Sequence, residues 1–150
     1  MQYNDIQAFA ERHHIHLIYL FGSQADNGKR YLQGETVMVD DASDLDVAVL
    51  VDVSSYKAVE MYGILYRELS MIFDPFAVDL LLMHEVNTLL QYEIIKGERI
   101  YERDESYADD YEEHIMKMAG DLSFKKRIFN SEVMEAMENG YFEFEYRPNP

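Results

Sequence analysis

Ser43-Asp-Leu-Asp-Val-Ala-Val-Leu-Val51 is the stretch around which the rest of the chain can be organised. From Leu45 onward the run is apolar and β-branched, which predicts a buried strand. Alternate side chains of a strand share a face, so Asp44 and Asp46 look the same way from its start. Aspartate is depleted in strands and costly to bury without a counter-group. The pair therefore calls for a divalent cation, a basic partner or open water. A solvated loop leading into the strand is the plainer alternative, and a lone Asp-x-Asp does not decide between them.

Composition narrows the setting. A chain of 150 residues is one domain with room for a real core. Hydrophobic residues make up 48% and charged residues 28%. That is the balance of a soluble globular protein. No apolar run has the length of a membrane span, and the first residues lack a basic-then-apolar leader pattern. A cytoplasmic setting is expected. With no cysteine, disulfides and thiolate metal sites are excluded. The net charge of −16 argues against a nucleic-acid substrate, because such affinity comes largely from cations that neutralise phosphates. Residues 102–145 hold 13 acidic and 5 basic side chains, half of the net charge. That third reads either as a docking surface for a basic partner or as a solubilising face.

Outward from the central strand, residues 4–13 predict a first helix, with Ile6, Phe9 and Ala10 as its stripe. His13, His14 and His16 read as a helix-end turn rather than a metal site, since adjacent helical histidines do not face one another. Residues 16–21 predict a strand that Gly22-Ser23 ends abruptly. Glycine there lets the backbone approach a ligand, and serine can cap a helical turn whose N–H groups would cradle phosphate. Asp26-Asn27-Gly28 reads as a turn, and 29–32 with 36–39 as a small hairpin. Asp40 and Asp41 read as loop acids.

Residues 54–73 predict a long amphipathic helix, capped by Ser54 or Ser55 and stopped by Asp74-Pro75. Its apolar positions are Val59, Tyr62, Leu65, Tyr66, Leu69 and Ile72 or Phe73. Residues 77–83 predict a third strand with one acid, Asp79, which needs a specific partner if buried. Residues 87–96 predict a helix with Gly97 at its C-cap, and 99–102 a short extended piece. Residues 105–127 predict a further helix that 131–137 extend. Tyr107, Tyr111, Ile115, Met118 and Leu122 mark one face of it, either core or a partner surface. Asn139-Gly140 breaks it.

Three carboxylates on two strands, beside a glycine turn, suit phosphoryl or nucleotidyl transfer with two metals. Hard oxygen ligands favour Mg²⁺, which binds through a few carboxylates and substrate phosphates.

In this combination, Leu20-Phe-Gly-Ser23, Ser43-Asp-Leu-Asp46 with its strand, and Val78-Asp-Leu-Leu-Leu82 resemble the minimal nucleotidyltransferases (MNT) of the DNA polymerase beta superfamily. The likeness runs over roughly 6–102. Leu89-Leu-Gln-Tyr-Glu-Ile-Ile-Lys-Gly97 and Ile100-Tyr-Glu102 resemble the segment that follows the core in the MntA-type antitoxin branch. The resemblance implies an α/β (α+β) fold, a small mixed β-sheet flanked by helices. It implies a nucleotidyltransferase core over 1–103 and an acidic helical C-terminal extension over 104–150. It also implies transfer of AMP from ATP to a tyrosine of a HEPN-domain toxin, with Mg²⁺, most simply two ions. Carried over, Gly22 and Ser23 would contact the triphosphate and Asp44 and Asp46 would hold both metals. Asp79 would complete the nucleophile-side metal and help activate the acceptor hydroxyl.

One departure is the interval from Gln24 to Ser43, longer than the family's. Lengthening a loop costs little entropy, so the motifs need not move. Lys29 and Arg30 in it are candidates to reach phosphates. The other readings are an antitoxin that neutralises by contact alone and a small-molecule nucleotidyltransferase. A Ca²⁺-binding protein is a fourth, for which the chain lacks a calcium-loop spacing.

Overall fold

A computed structural model describes residues 2–52 and 58–139. Ser54, Ser55 and the C-terminal tail lie outside the described residues. The chain forms α1 (Gln2–Arg12), β1 (Ile15–Phe21), α2 (Ala25–Leu32), β2 (Leu45–Val51), α3 (Ala58–Ile72), β3 (Val78–Leu82), α4 (Thr88–Ile95), β4 (Glu98–Glu102) and α5 (Glu105–Glu138). A 3₁₀ turn, Met83–Glu85, leads from β3 towards α4. The sheet is mixed, in the order β3-β2-β1-β4. β1 is antiparallel to both β2 and β4, while β2 and β3 run parallel, joined by the α3 crossover.

Period-two alternation splits the strands between two cores. Leu45, Val47 and Val49 of β2, with Val78, Leu80 and Leu82 of β3, pack with Ile6 and Phe9 of α1, Leu32 of α2 and Leu65 and Leu69 of α3. Ala48 and Leu50, with Leu17 and Tyr19 of β1, meet Ile94 of α4 and Ala108 of α5 on the opposite face. The main chain near the sheet is tight at Gly97, just past α4. A Cβ there would lie 2.3 Å from the Leu20 carbonyl oxygen. Backbone cannot yield as a side-chain tip can, so Gly97→Ala is expected to lose about 3 kcal/mol in urea unfolding.

Several sequence expectations need correction. Residues 25–32, read as a turn and the first arm of a hairpin, form the helix α2, and 36–39, read as the second arm, have no regular secondary structure. Ala25, Gly28 and Leu32 form its buried face, so burial overrides the local turn chemistry. A Cβ on Gly28 would meet Leu45 Cδ1 at 2.7 Å and Leu20 Cδ1 at 2.9 Å; its glycine serves packing, not a turn. Ser23 does not cap the helix, because Gln24 occupies the N-cap position. Lys29 Nζ binds Glu98 Oε2 at 3.0 Å and Arg30 Nε lies 3.6 Å from Glu35, so both cations already have carboxylate partners. The α3 stripe is narrower than read: Leu65, Leu69 and Phe73 are buried, whereas Val59, Tyr62 and Tyr66 are exposed. His13 binds Glu68 of α3 and meets Phe9 edge-on, which suits the non-metal reading.

α5 is one unbroken helix of 34 residues. Its start is capped by Asp104, whose carboxylate accepts from the Ser106 and Tyr107 N–H groups. Arg99 of β4 clasps its root, donating to Glu112 Oε2 at 2.9 Å and Asp109 Oδ1 at 3.3 Å. The buried Tyr19 hydroxyl donates to the same Glu112 carboxylate. Burial first, and that carboxylate second, push the Tyr19 phenol well above its usual range. Ala108, Ile115 and Ala119 are the residues α5 buries. Met118 and Leu122, read as part of its apolar face, are exposed. No helix among the described residues is long and apolar enough to cross a membrane.

Candidate active site

The three acids meet at one end of the sheet. In the parallel β2–β3 pair, Asp46 stands in register with Asp79. Paired residues of neighbouring strands share a face at roughly 4.8 Å strand spacing. That face is the one carrying Ala48, Leu50 and Leu81, just beyond the α4–α5 core. Across β2, Asp46 pairs with Phe21, the last residue of β1. Asp44 precedes β2 and is exposed.

Asp46 is the electrostatic centre of the group. Its carboxyl is held above the ordinary value of 3.8. Partial burial is the main cause; the charge of Asp79, a hydrogen bond with Asp79 and the charge of Asp44 add to it. A carboxylate shared between two aspartates needs a proton or a cation between them, since both cannot ionise cheaply at that range. Asp79 is exposed at the open end of an edge strand, so water solvates it and no buried counter-group is required. Among the described residues, no three acids or histidines are already closed into a ligand cluster. The group is instead coupled electrostatically through Asp46.

Gly22 explains why this end of the sheet is open. Its φ is +74°, a left-handed conformation that glycine adopts freely. A Cβ there would sit 2.2 Å from Asp46 Oδ2. The glycine therefore does more than bring backbone to a ligand: it leaves the space that the Asp46 carboxylate fills. Sequence reading missed this second role, because nothing local to Leu20-Phe-Gly-Ser23 signals a neighbour from β2. Gly22 and Ser23 are exposed, and the α2 N-terminus follows them directly. The Ala25 N–H donates to the Gly22 carbonyl oxygen at 3.4 Å, while the next N–H groups, of Asp26 and Asn27, lack intrahelical acceptors, which favours an anion there.

The donor set suits Mg²⁺. It offers only hard carboxylate oxygens, exposed on one side, beside helix N–H groups able to take phosphate oxygens. The excess negative charge around Asp46 is the kind a divalent cation offsets.

The family model for polymerase beta nucleotidyltransferases matches residues 4–106. The chain belongs to this family. The match spans α1 to the first residues of α5, so it includes Gly22, Ser23, Asp44, Asp46 and Asp79. No curated protein matches the chain. Among solved structures, a chain of a toxin–antitoxin complex with AMP-PNP superimposes with a TM-score of 0.62 at 21% identity, over 89% of this chain and 99% of that one. A chain of an MntA–HepT toxin–antitoxin structure gives 0.59 at 19%, over 89% and 97%. A chain from the tri-AMPylated Shewanella oneidensis HEPN toxin in complex with its MNT antitoxin gives 0.60 at 20%, over 89% and 99%. At such identities the likeness is one of fold. The chain is thus a polymerase beta nucleotidyltransferase, with the four-stranded mixed sheet and flanking helices that the resemblance implied.

Proposed function

We propose that this nucleotidyltransferase is an antitoxin that moves AMP from ATP to a tyrosine hydroxyl of a HEPN-domain toxin. The observation that carries the reading is the register of Asp46 with Asp79, on one face, beside Gly22 and Asp44. The toxin assignment rests on the fold shared with chains from toxin–antitoxin complexes, one containing AMP-PNP and one an AMPylated toxin.

Each residue has a task. Gly22 and Ser23, with the start of α2, hold the triphosphate. Asp44 and Asp46 are the ligands of bound Mg²⁺, and Asp79 joins them on the acceptor side. Mg²⁺, when bound, supplies charge neutralisation at the phosphates and lowers the pKa of the acceptor hydroxyl. Asp79 orients that hydroxyl and takes its proton. The tyrosine oxygen then bonds to the α-phosphorus while the bond to the pyrophosphate oxygen breaks; pyrophosphate leaves and AMP stays on the toxin. The exposure of Asp79 suits an acceptor that arrives on another protein.

The test is incubation with α-labelled ATP, Mg²⁺ and the HEPN protein encoded beside this chain. Label on the toxin, lost in Asp44→Asn with Asp46→Asn, is the expected result. An unlabelled toxin would overturn the catalytic reading. The same double variant, if it still neutralised the toxin, would establish neutralisation by contact.

A further inference from the structure

Among the described residues, the distal half of α5 has no core beneath it. From Gly120 to Asn139 every residue is exposed except Val133 and Ala136, which are half-buried. Yet the apolar stripe does not stop where the globule does. Ala119, Leu122, Phe129, Val133 and Ala136, with the charged Lys126 at one position among them, fall at alternating spacings of three and four, the seam of a two-helix coiled coil. Leu122 and Phe129 stand 44% and 63% exposed. They form an apolar ridge held in water.

The charges of the distal helix are sorted along its length. Lys125, Lys126 and Arg127 come first; Glu132, Glu135 and Glu138 follow about two turns later. Among the described residues none of the six forms an ion pair, whereas Asp109 and Glu112 at the root of α5 are claimed by Arg99. A basic block and an acidic block on one helix complement each other when a second copy runs antiparallel. The match extends to individual positions. Packing Leu122 against Val133 of the second copy sets Phe129 over the second copy's Lys126, a cation–π contact made twice by symmetry. Lys125 and Glu132, two turns apart, lie on one flank of the seam, and the same packing brings each to the other's counterpart. A heterologous partner has no reason to match this order, but a second copy matches it by construction.

We propose that the distal halves of α5 from two copies pair antiparallel, making this protein a homodimer with its two nucleotidyl-transfer sites at opposite ends. The inference does not depend on which nucleotide or acceptor the site uses. It commits to a second copy of this chain as the occupant of the ridge.

Sedimentation equilibrium of the full chain alone, from about 10 to 300 µM, tests it; a three-turn seam is short, so association in this range is the scale expected. The expected result is concentration-dependent mass rising from 17.7 kDa towards twice that value. Phe129→Glu should leave a monomer at every concentration. Lys125→Glu and Glu132→Lys should each weaken association about tenfold, and the two together should restore it. Far-ultraviolet circular dichroism on each variant checks that α5 remains helical. A wild-type chain that stays monomeric to the top of that range overturns the proposal, and so does a charge swap that fails to restore what each single change removes. A ridge made for a different protein would produce that second pattern.

Discussion

Asp46→Asn is expected to cut nucleotidyl transfer by about a thousandfold while making the ligand-free protein more stable. The two effects have one source. Burial, together with Asp79 and Asp44, raises the Asp46 carboxyl above its ordinary value of 3.8. The folded state therefore resists the ionised form. Below the ordinary value Asp46 is protonated in both folded and unfolded chains, and there is no cost. As pH climbs through the raised pKa the unfolded chain ionises more easily, so the folded protein loses stability and then levels off. Asparagine removes that loss. At neutral pH the variant should melt about 2 °C higher, the low end of the ~2–4 °C that ~1 kcal/mol moves a chain of this length, because the carboxylate is only part-buried and solvent-screened. Near pH 3 the difference should vanish. Mg²⁺ with ATP should then raise the melting temperature of the wild type and leave the variant nearly unmoved, since a ligand stabilises only the state it binds. Scanning calorimetry from pH 3 to 8, with and without Mg²⁺-ATP, reads all three. A variant less stable than the wild type at pH 7 without ligand would refute the electrostatic account.

Gly22→Ala is expected to damage the same site from the other side, and here stability falls as well. The residue sits at φ +74°. Holding an alanine in that left-handed region costs about 1–2 kcal/mol. Its Cβ, 2.2 Å from Asp46 Oδ2 and 3.3 Å from Cγ, must also push the carboxylate away. A displacement of about 1 Å in a reacting constellation costs on the order of a hundredfold in rate. The two contributions separate in a double variant. Asp46→Ala deletes the atoms that clash and leaves the backbone strain, so Gly22→Ala should cost less stability on that background than in the wild type. Urea denaturation of the four chains measures the coupling. Equal costs on both backgrounds would mean that the steric conflict is relieved elsewhere and Gly22 is needed for φ alone.

Much of this protein can be read from local sequence because its strands advertise themselves. Apolar runs predict β1, β2 and β3, and the acids at and within them, Asp44 before β2, Asp46 in β2 and Asp79 in β3, are the residues that the fold gathers. The spacing of apolar residues along 105–137 likewise predicts a helix, and α5 follows it from end to end. These features are legible because period two and period 3.6 are properties of the chain's own neighbours. Where the reading failed, the deciding neighbour was remote. Asp26-Asn27-Gly28 has turn chemistry, but Leu20 and Leu45 demand a glycine on a helix packed against them. Half of the apolar positions assigned to the α3 core face water, because only Leu65, Leu69 and Phe73 are buried against the rest of the core.

The sequence by itself determined which residues are available for chemistry, which segments are strands, and that a chain without cysteine could not use thiolate ligands. Only the tertiary structure decided that β3 lies parallel beside β2 with Asp79 level with Asp46, that Gly22 leaves room for a carboxylate from another strand, and that α5 outruns the core it is rooted in. The reason is physical. Periodicity records what each residue does with its near neighbours, whereas strand register, a glycine's missing Cβ and the end of a core are settled by segments far away in the chain.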